Sequence, residues 1–403
     1  MKYLVLVPDG AADYPLEALG GKTPLEVAHT PNMDRLAREG CGGTVCMIPP
    51  ERHPGSDVGN LEIFGYDTRI HYTGRSPLEA ASMGVDLGPD GVAFRLNTIH
   101  RQGDTLVDYS AGHISTEEAS VLVQSIAAEL GRPNVRFYPG ISYRHLLVFD
   151  NGPEGLVSYP PHDIMGQSVS AHLPSGEGEA SIRALMEQAE PILAEHPVNK
   201  RRAERGELTA NAIWLWGSGR ALKLKSLTEK FGFSGGVISA VDLVRGIGRS
   251  AGLDVIEVPG VTGYLDTNYE GKAQYALEVL ARDNFVYVHV EAPDEAGHNG
   301  DPVAKVQAIS DFDARVVGPI LDGLEMLGPS RILITPDHPT PIALRTHSRD
   351  AVPFILWGEG VAADRLQGYG ERLAAEGSLH VEHGHWLMEY MRGTRPLQQV
   401  RNG

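Results

Sequence analysis

Three stretches far apart in the chain share one grammar: a short apolar run that stops at a carboxylate. They read LVLVPD (4–9), FVYVHVEAPD (285–294) and RILITPDH (331–338). Runs of this length without alternating polar positions read as strands buried on both faces, which is the signature of a parallel sheet under helices. VPFILW (352–357) is a further such run, and VISA (237–240), a helical pattern over 241–251 and VIEV (255–258) make a βαβ-like unit. Thr30-Pro31-Asn32 opens a helix with Met33, Leu36 and Ala37 on one face. The fold class is therefore α/β. Acids stand just past strand C-termini, the edge at which open α/β sheets bind ligands.

The middle of the chain has another texture. Gly and Pro turns (GPDG, GRP, YPG, NGP, YPPHD, LPSGEGE) separate short alternating runs over about residues 88–180. One amphipathic helix, 116–130, is announced by Ser115 with Glu118 three residues on, a capping-box pattern. The stretch 179–205 again reads as helical. A smaller α+β domain inserted in a larger one is the expectation: 1–87 and 183–403 for the larger domain, 88–182 for the insertion.

A chain of 403 residues accommodates two domains. A net charge of −17 argues against nucleic acid or anionic membranes as partners, while leaving room for a small phosphorylated substrate in a locally cationic cleft. Cys41 and Cys46 do not make a disulfide framework. The opening MKYLVLVPDG lacks the apolar core and cleavage site of a signal peptide, and no run approaches the roughly 20 residues of a membrane span. A cytoplasmic enzyme is expected; its oligomeric state is not legible.

The chemistry-bearing residues are Asp9, Ser56, Asp294, His298, Asp337, His338 and His347. Each has a bland alternative: Asp9 as a cap, Ser56 as a turn residue, Asp294 and His298 as a helical i,i+4 pair. Against that pair, Pro293 and Gly297 argue for a turn. Together they form a mixed carboxylate–imidazole set that favours Mn²⁺, Zn²⁺ or Fe²⁺ over Ca²⁺. Six ligands suffice for two ions. Ser56, in PGSDVGNLEIFGYD, has no histidine near it in sequence, and a divalent cation would lower the pKa of its hydroxyl in place of a base. His380, His383 and His385 read as a polar loop, Trp214 and Trp216 as strand core, and His289 as a satisfied core histidine.

Gly55-Ser56-Asp57-Val58-Gly59-Asn60-Leu61, the GYD at 65–67 and YTGRSPLEAA at 72–81 resemble the cofactor-independent phosphoglycerate mutases, archaeal-type branch, of the alkaline-phosphatase superfamily. The resemblance spans nearly the whole chain. It implies a three-layer α/β/α domain with an inserted α+β domain, and Ser56 as a nucleophile that becomes phosphoserine. It implies one ion on Asp9, Ser56, Asp337 and His338 and another on Asp294, His298 and His347, Mn²⁺ first, with Zn²⁺ or Mg²⁺ as alternatives. The inserted domain would bind the rest of 3-phosphoglycerate and exclude water. Candidate substrate-binding residues are Arg75, His113, Arg144, Arg220 and Lys230, since guanidinium matches carboxylate and phosphate.

Departures keep alternatives open. The family pattern has arginines where this chain reads DYSAGH (108–113) and a histidine at Asn60. PPHDIMG (160–166) and GYLDTNYEGKA (263–273) resemble a bacterial subgroup assigned as homoserine kinases. A homoserine phosphotransferase or a metal-dependent phosphatase on the same core are the competing readings.

Overall fold

The computed structural model describes residues 1–397. It divides into two compact units, Met1–Tyr72 with the chain from Lys223 onward, and Thr73–Leu222. The expected insertion was 88–182. The wider span follows from the pairing of distant strands and the packing of two helices.

The first unit is built on an eight-stranded sheet. In spatial order its strands are β13 (Leu379–Val381), β2 (Cys41–Val45), β12 (Val352–Gly358), β11 (Ser330–Ile334), β1 (Lys2–Pro8), β10 (Phe285–Val290), β8 (Gly235–Ile238) and β9 (Asp254–Val255). β1 sits between β10 and β11 and is parallel to both, with Tyr3 opposite Phe285 and Lys2 opposite Ser330. Its residues Leu4 to Val7 are fully buried, as an unbroken apolar run requires. Because the three strands run the same way, the acids that follow them all emerge at one edge of the sheet. β12 is antiparallel to both β11 and β2, so the segment from Thr335 to Ala351 must turn back across that edge, and it carries His347.

The second unit is a five-stranded antiparallel sheet. β3 (Gly91–Gln102) pairs with β4 (Thr105–Asp108), β6 (Arg144–Asp150) and β7 (Ala212–Arg220), and β6 pairs with β5 (Val135–Tyr138). β7 lies far along the chain yet is hydrogen-bonded to β3. The helices Glu179–Ala194 and Pro197–Glu204 put Ile182, Leu193 and Val198 into the same core as Phe94 and Trp214. These pairings carry the unit to Leu222. The helix Thr116–Leu130 forms as expected with Ser115 accepting from the Glu118 amide, but the reciprocal half of the capping box is missing. The Glu118 carboxylate instead takes hydrogen bonds from Arg202 and Arg205, at 2.5 and 2.8 Å.

Among the described residues no helix is long and apolar enough to cross a membrane.

Candidate active site

Ser56 is the first residue of the helix Ser56–Ile63, where unpaired backbone amides favour negative charge on a side-chain oxygen. Its Oγ lies 3.0 Å from His338 Nε2. His338 follows β11 and is fully buried beside Asp337. From His338 Nε2 it is 3.6 Å to Asp9 Oδ1 and 3.4 Å to Asp337 Oδ2. Loops after β1 and β11 and the N-terminus of one helix thus meet around one imidazole nitrogen.

A second group adjoins the first. Asp294 and His298 sit one turn apart on the helix Ala292–Asn299, with Asp294 Oδ2 3.2 Å from His298 Nε2. The expectation of a turn at Pro293–Gly297 is corrected: proline is tolerated in a first helical turn, and Gly297 lies inside the helix for a packing reason. A β-carbon there would stand 2.5 Å from the Thr340 carbonyl oxygen. His347 closes the group, its Nε2 3.0 Å from His298 Nε2 and 3.6 Å from Asp294 Oδ1. The His338 and His347 rings are 4.1 Å apart, so the two groups are contiguous.

The surroundings hold these side chains from behind. Gly10 N donates to Asp337 Oδ1 at 3.2 Å. Gly10 has φ of +60°, and a β-carbon there would strike Asp294 Oδ1 at 2.5 Å. Asn60 donates from Nδ2 to Asp337 Oδ2 at 2.7 Å and to the Ser56 carbonyl at 2.9 Å, while its own oxygen accepts from Tyr287 at 2.6 Å. The buried Lys305 ammonium bonds Asp13 Oδ2 and the Thr340 carbonyl, each at 2.8 Å, tying the loop after β1 to the loop after β11. A buried ion pair of this kind needs its remaining protons satisfied, and the Ala12 carbonyl at 3.3 Å completes the set.

The electrostatics suit divalent cations. Burial, then the charges of Asp337 and Asp294, push the Asp9 carboxyl well above its ordinary range. Asp9 Oδ1 is buried without a hydrogen-bond partner. Burial also opposes ionisation of Asp294, but hydrogen bonds from His298 and His347 hold it well below the usual carboxylate range. Asp294 in turn raises His298 to about 9. Crowded carboxylates beside imidazoles, one oxygen orphaned, make a donor set that a cation neutralises and protein groups do not. Ligand atoms of Asp294, His298 and His347 all lie within 4.8 Å of one another, as do those of Asp9, Asp294 and His338, and those of Asp9, His289 and Asp337.

His289 was expected to be a satisfied core histidine. It is fully buried, yet its Nε2 has no aligned hydrogen-bond partner and lies 3.0 Å from Asp9 Oδ2. His385 presents its Nδ1 and backbone amide to the buried Glu62 carboxylate at 2.8 and 3.0 Å, and ligand atoms of Glu62, Asp67 and His385 lie within 4.8 Å of one another.

In the second unit, three of the candidate substrate-binding residues share one neighbourhood. The His113 ring lies 6.3 Å from that of Tyr143, over which Arg144 stacks at 5.8 Å. Arg75 Nε is 3.7 Å from Glu79 Oε1. Arg95, missed in the sequence, joins them. It is buried, lies 3.1 Å from Glu79 Oε2 and stacks 4.4 Å above the Trp216 ring. Burial first, then the charges of Arg75 and Arg144, press its pKa down to about 10 despite Glu79. His162, also missed, stands edge-on to both Trp216 and Tyr109 at 6.0 Å. Trp216 is thus core that also carries a cation. An arginine inside the apolar run VAFRL was the available signal. Arg220 is elsewhere, paired with Glu154 at 2.6 Å. Lys230 belongs to the first unit, where its ammonium bonds the Gly65 carbonyl and lies 4.9 Å over the Tyr66 ring.

The family described as 2,3-bisphosphoglycerate-independent phosphoglycerate mutase matches residues 37–199. A Geobacter sulfurreducens relative is 55% identical over 97% of this chain and 99% of its own. The chain belongs to the 2,3-bisphosphoglycerate-independent phosphoglycerate mutase family. A family member from Methanothrix thermoacetophila is 50% identical over 97% of this chain and 99% of its own. Among solved structures, the cofactor-independent phosphoglycerate mutase of Thermoplasma acidophilum superposes with a TM-score of 0.70 at 28% identity, covering 98% of this chain and 100% of that one. A Pyrococcus horikoshii protein gives a TM-score of 0.83 at 33% identity over 98% of both chains. Relatives at this identity carry the mutase name, so the homoserine phosphotransferase alternative is not favoured.

Proposed function

We propose that the chain interconverts 3-phosphoglycerate and 2-phosphoglycerate through a phosphoserine on Ser56. The carrying observation is the approach of Ser56 Oγ to His338 Nε2, 3.0 Å, at the centre of the carboxylate–imidazole set. Asp9, Ser56, Asp337 and His338 are assigned to one divalent ion and Asp294, His298 and His347 to the other, with Mn²⁺ the first choice. Bound there, the ions lower the pKa of the Ser56 hydroxyl and offset charge on the phosphoryl oxygens.

Ser56 Oγ gives up its proton and attacks phosphorus, forming the Oγ–P bond as the bond to the substrate's 3-oxygen breaks and that oxygen takes up a proton in exchange. The freed glycerate reorients, its 2-hydroxyl gives up its proton and attacks the same phosphorus, and Oγ–P breaks as Oγ regains a proton, so the cycle exchanges no net proton. The Ser56 helix N-terminus favours the developing oxyanion. The cations Arg75, Arg95 and Arg144 lie near one another in the second unit and suit anionic groups such as carboxylate and phosphate. The His113 and His162 rings stand beside them as further hydrogen-bonding groups. Arg220 and Lys230 keep a weaker claim, each already holding a partner.

The deciding assay gives the purified, Mn²⁺-loaded protein 3-phosphoglycerate, and separately homoserine with ATP. Formation of 2-phosphoglycerate without free phosphate is expected. Turnover of only the homoserine pair, or release of phosphate alone, overturns the reading.

A further inference from the structure

We infer that His289 is a positioning residue for Asp9, fixing the carboxylate oxygen that faces away from the ion so that the other stays aimed at it. This rests on the two-ion reading above.

The sheet register creates the pair. β1 and β10 are parallel with Val7 opposite His289, and the Asp9 amide donates to the Val290 carbonyl at 3.0 Å. Asp9 therefore begins its loop directly beside the His289 side chain. Its two oxygens face different groups. Oδ1, without a hydrogen-bond partner, lies 3.6 Å from His338 Nε2, on the side of Ser56. Oδ2 lies 3.0 Å from His289 Nε2, in reach of that nitrogen but not aligned with it for a hydrogen bond. One oxygen looks into the ligand set and the other onto an imidazole.

The far side of the ring offers Nδ1 a donor. His289 Nδ1 is 3.2 Å from Ser239 Oγ, and that oxygen already accepts from the Val241 amide at 2.9 Å. The Ser239 hydroxyl proton is free to go to Nδ1, which leaves the ring proton on Nε2, facing Asp9. Lys272, fully buried, donates to the His289 carbonyl at 2.8 Å and fixes the strand at that residue. The same strand face does this twice. Two residues earlier, Tyr287 holds Asn60, which holds Asp337 Oδ2. Carboxylates that bind metals are commonly held in this way by an outer partner, and loss of that partner typically weakens metal binding or activity roughly 10- to 100-fold.

The competing role is direct ligation, since His289, Asp9 and Asp337 present atoms within 4.8 Å of one another. The test uses the Mn²⁺-loaded full chain and its His289→Gln and His289→Phe variants. Mn²⁺ stoichiometry and affinity are measured, and pulsed electron paramagnetic resonance counts ring nitrogens on the metal. Wild type binding fewer than two ions defeats the two-ion reading itself. With two bound, His289→Phe is expected to weaken one ion roughly 10- to 100-fold and lower kcat in step, leaving KM for 3-phosphoglycerate in place. His289→Gln, which keeps a donor, recovers most of both. Unchanged affinity in His289→Phe overturns the proposal, and so does loss of one coupled nitrogen in either variant. Ser239→Ala covers the case where His289→Phe does not fold: it frees the ring to place its proton on Nδ1 and shifts affinity the same way, and no shift overturns the inference.

Discussion

Ser56 Oγ and His338 Nε2 approach to 3.0 Å across 282 positions of sequence. The histidine is not poised as a simple base, because its Nε2 also faces Asp9 and Asp337. Burial moreover holds its pKa below the ordinary value. Shared ligation is the chemistry this arrangement supports. Ser56→Ala should accordingly leave the melting temperature near wild type and abolish both turnover and the phosphoprotein seen by intact-mass analysis after substrate addition. Retained turnover would remove the serine from the mechanism.

Arg95 separates binding from chemistry. It touches Glu79 and Trp216, and Glu79 keeps a neighbour in Arg75 if Arg95 is lost. A charge-assisted hydrogen bond contributes roughly 1.5–3 kcal/mol, so Arg95→Gln should raise KM for 3-phosphoglycerate by roughly 10- to 100-fold with a smaller change in kcat. Steady-state kinetics on the variant decide it; an unaltered KM would confine Arg95 to packing.

Gly297→Ala sets two effects against each other. Alanine gains about 1 kcal/mol of helix propensity over glycine. The added methyl would meet the Thr340 carbonyl oxygen at 2.5 Å, and overpacking of this kind costs roughly 1–3 kcal/mol. Thr340 also bonds Asp294, so displacement of its backbone disturbs that carboxylate. Net destabilisation by about 1 kcal/mol and weaker Mn²⁺ binding are expected, read by denaturant unfolding and metal titration. A more stable variant would show that the Thr340 loop yields freely.

Glu371 predicts a pH slope. Its carboxylate accepts from Thr23 Oγ1 at 2.5 Å and from the Asp13 amide at 3.0 Å, and burial raises its pKa to about 7. In the unfolded chain the value is about 4.3. Between these values the folded state binds more protons than the unfolded one, so stability falls as pH rises from about 4 to about 7. The side chain keeps some solvent contact, and the effect is on the order of 1–2 kcal/mol. Glu371→Gln should flatten that part of the curve in chemical denaturation at constant metal. An identical slope in both proteins would place the titration elsewhere.

The strands ending in acids were legible because a parallel sheet needs unbroken apolar runs, and few other structures produce them. Asp9, Asp294 and Asp337 followed directly from strand ends. The Asp294 helix was misread because Gly297 looks like a breaker; only the proximity of Thr340 explains a glycine there. Arg95 was passed over because its cationic partners, Arg75 and Arg144, are set by the pairing of β3 with β6 and by a separate helix start. His289 looked like core because burial alone is visible in a strand pattern, whereas its neighbour Asp9 is fixed by the β1–β10 register. The edge of the inserted unit was hidden for the same reason: β7 belongs with β3 by pairing, not by any change in composition.

The placement of β1 between β10 and β11 governs when the centre can exist during synthesis. The first strand to leave the ribosome has both edges unpaired until Phe285 and Ser330 are made. A nascent chain therefore keeps this apolar strand unpaired through most of translation, and unpaired apolar edges are prone to aggregation. A polypeptide cut short before His347 has the whole of the inserted unit but lacks one member of the Asp294–His298–His347 group.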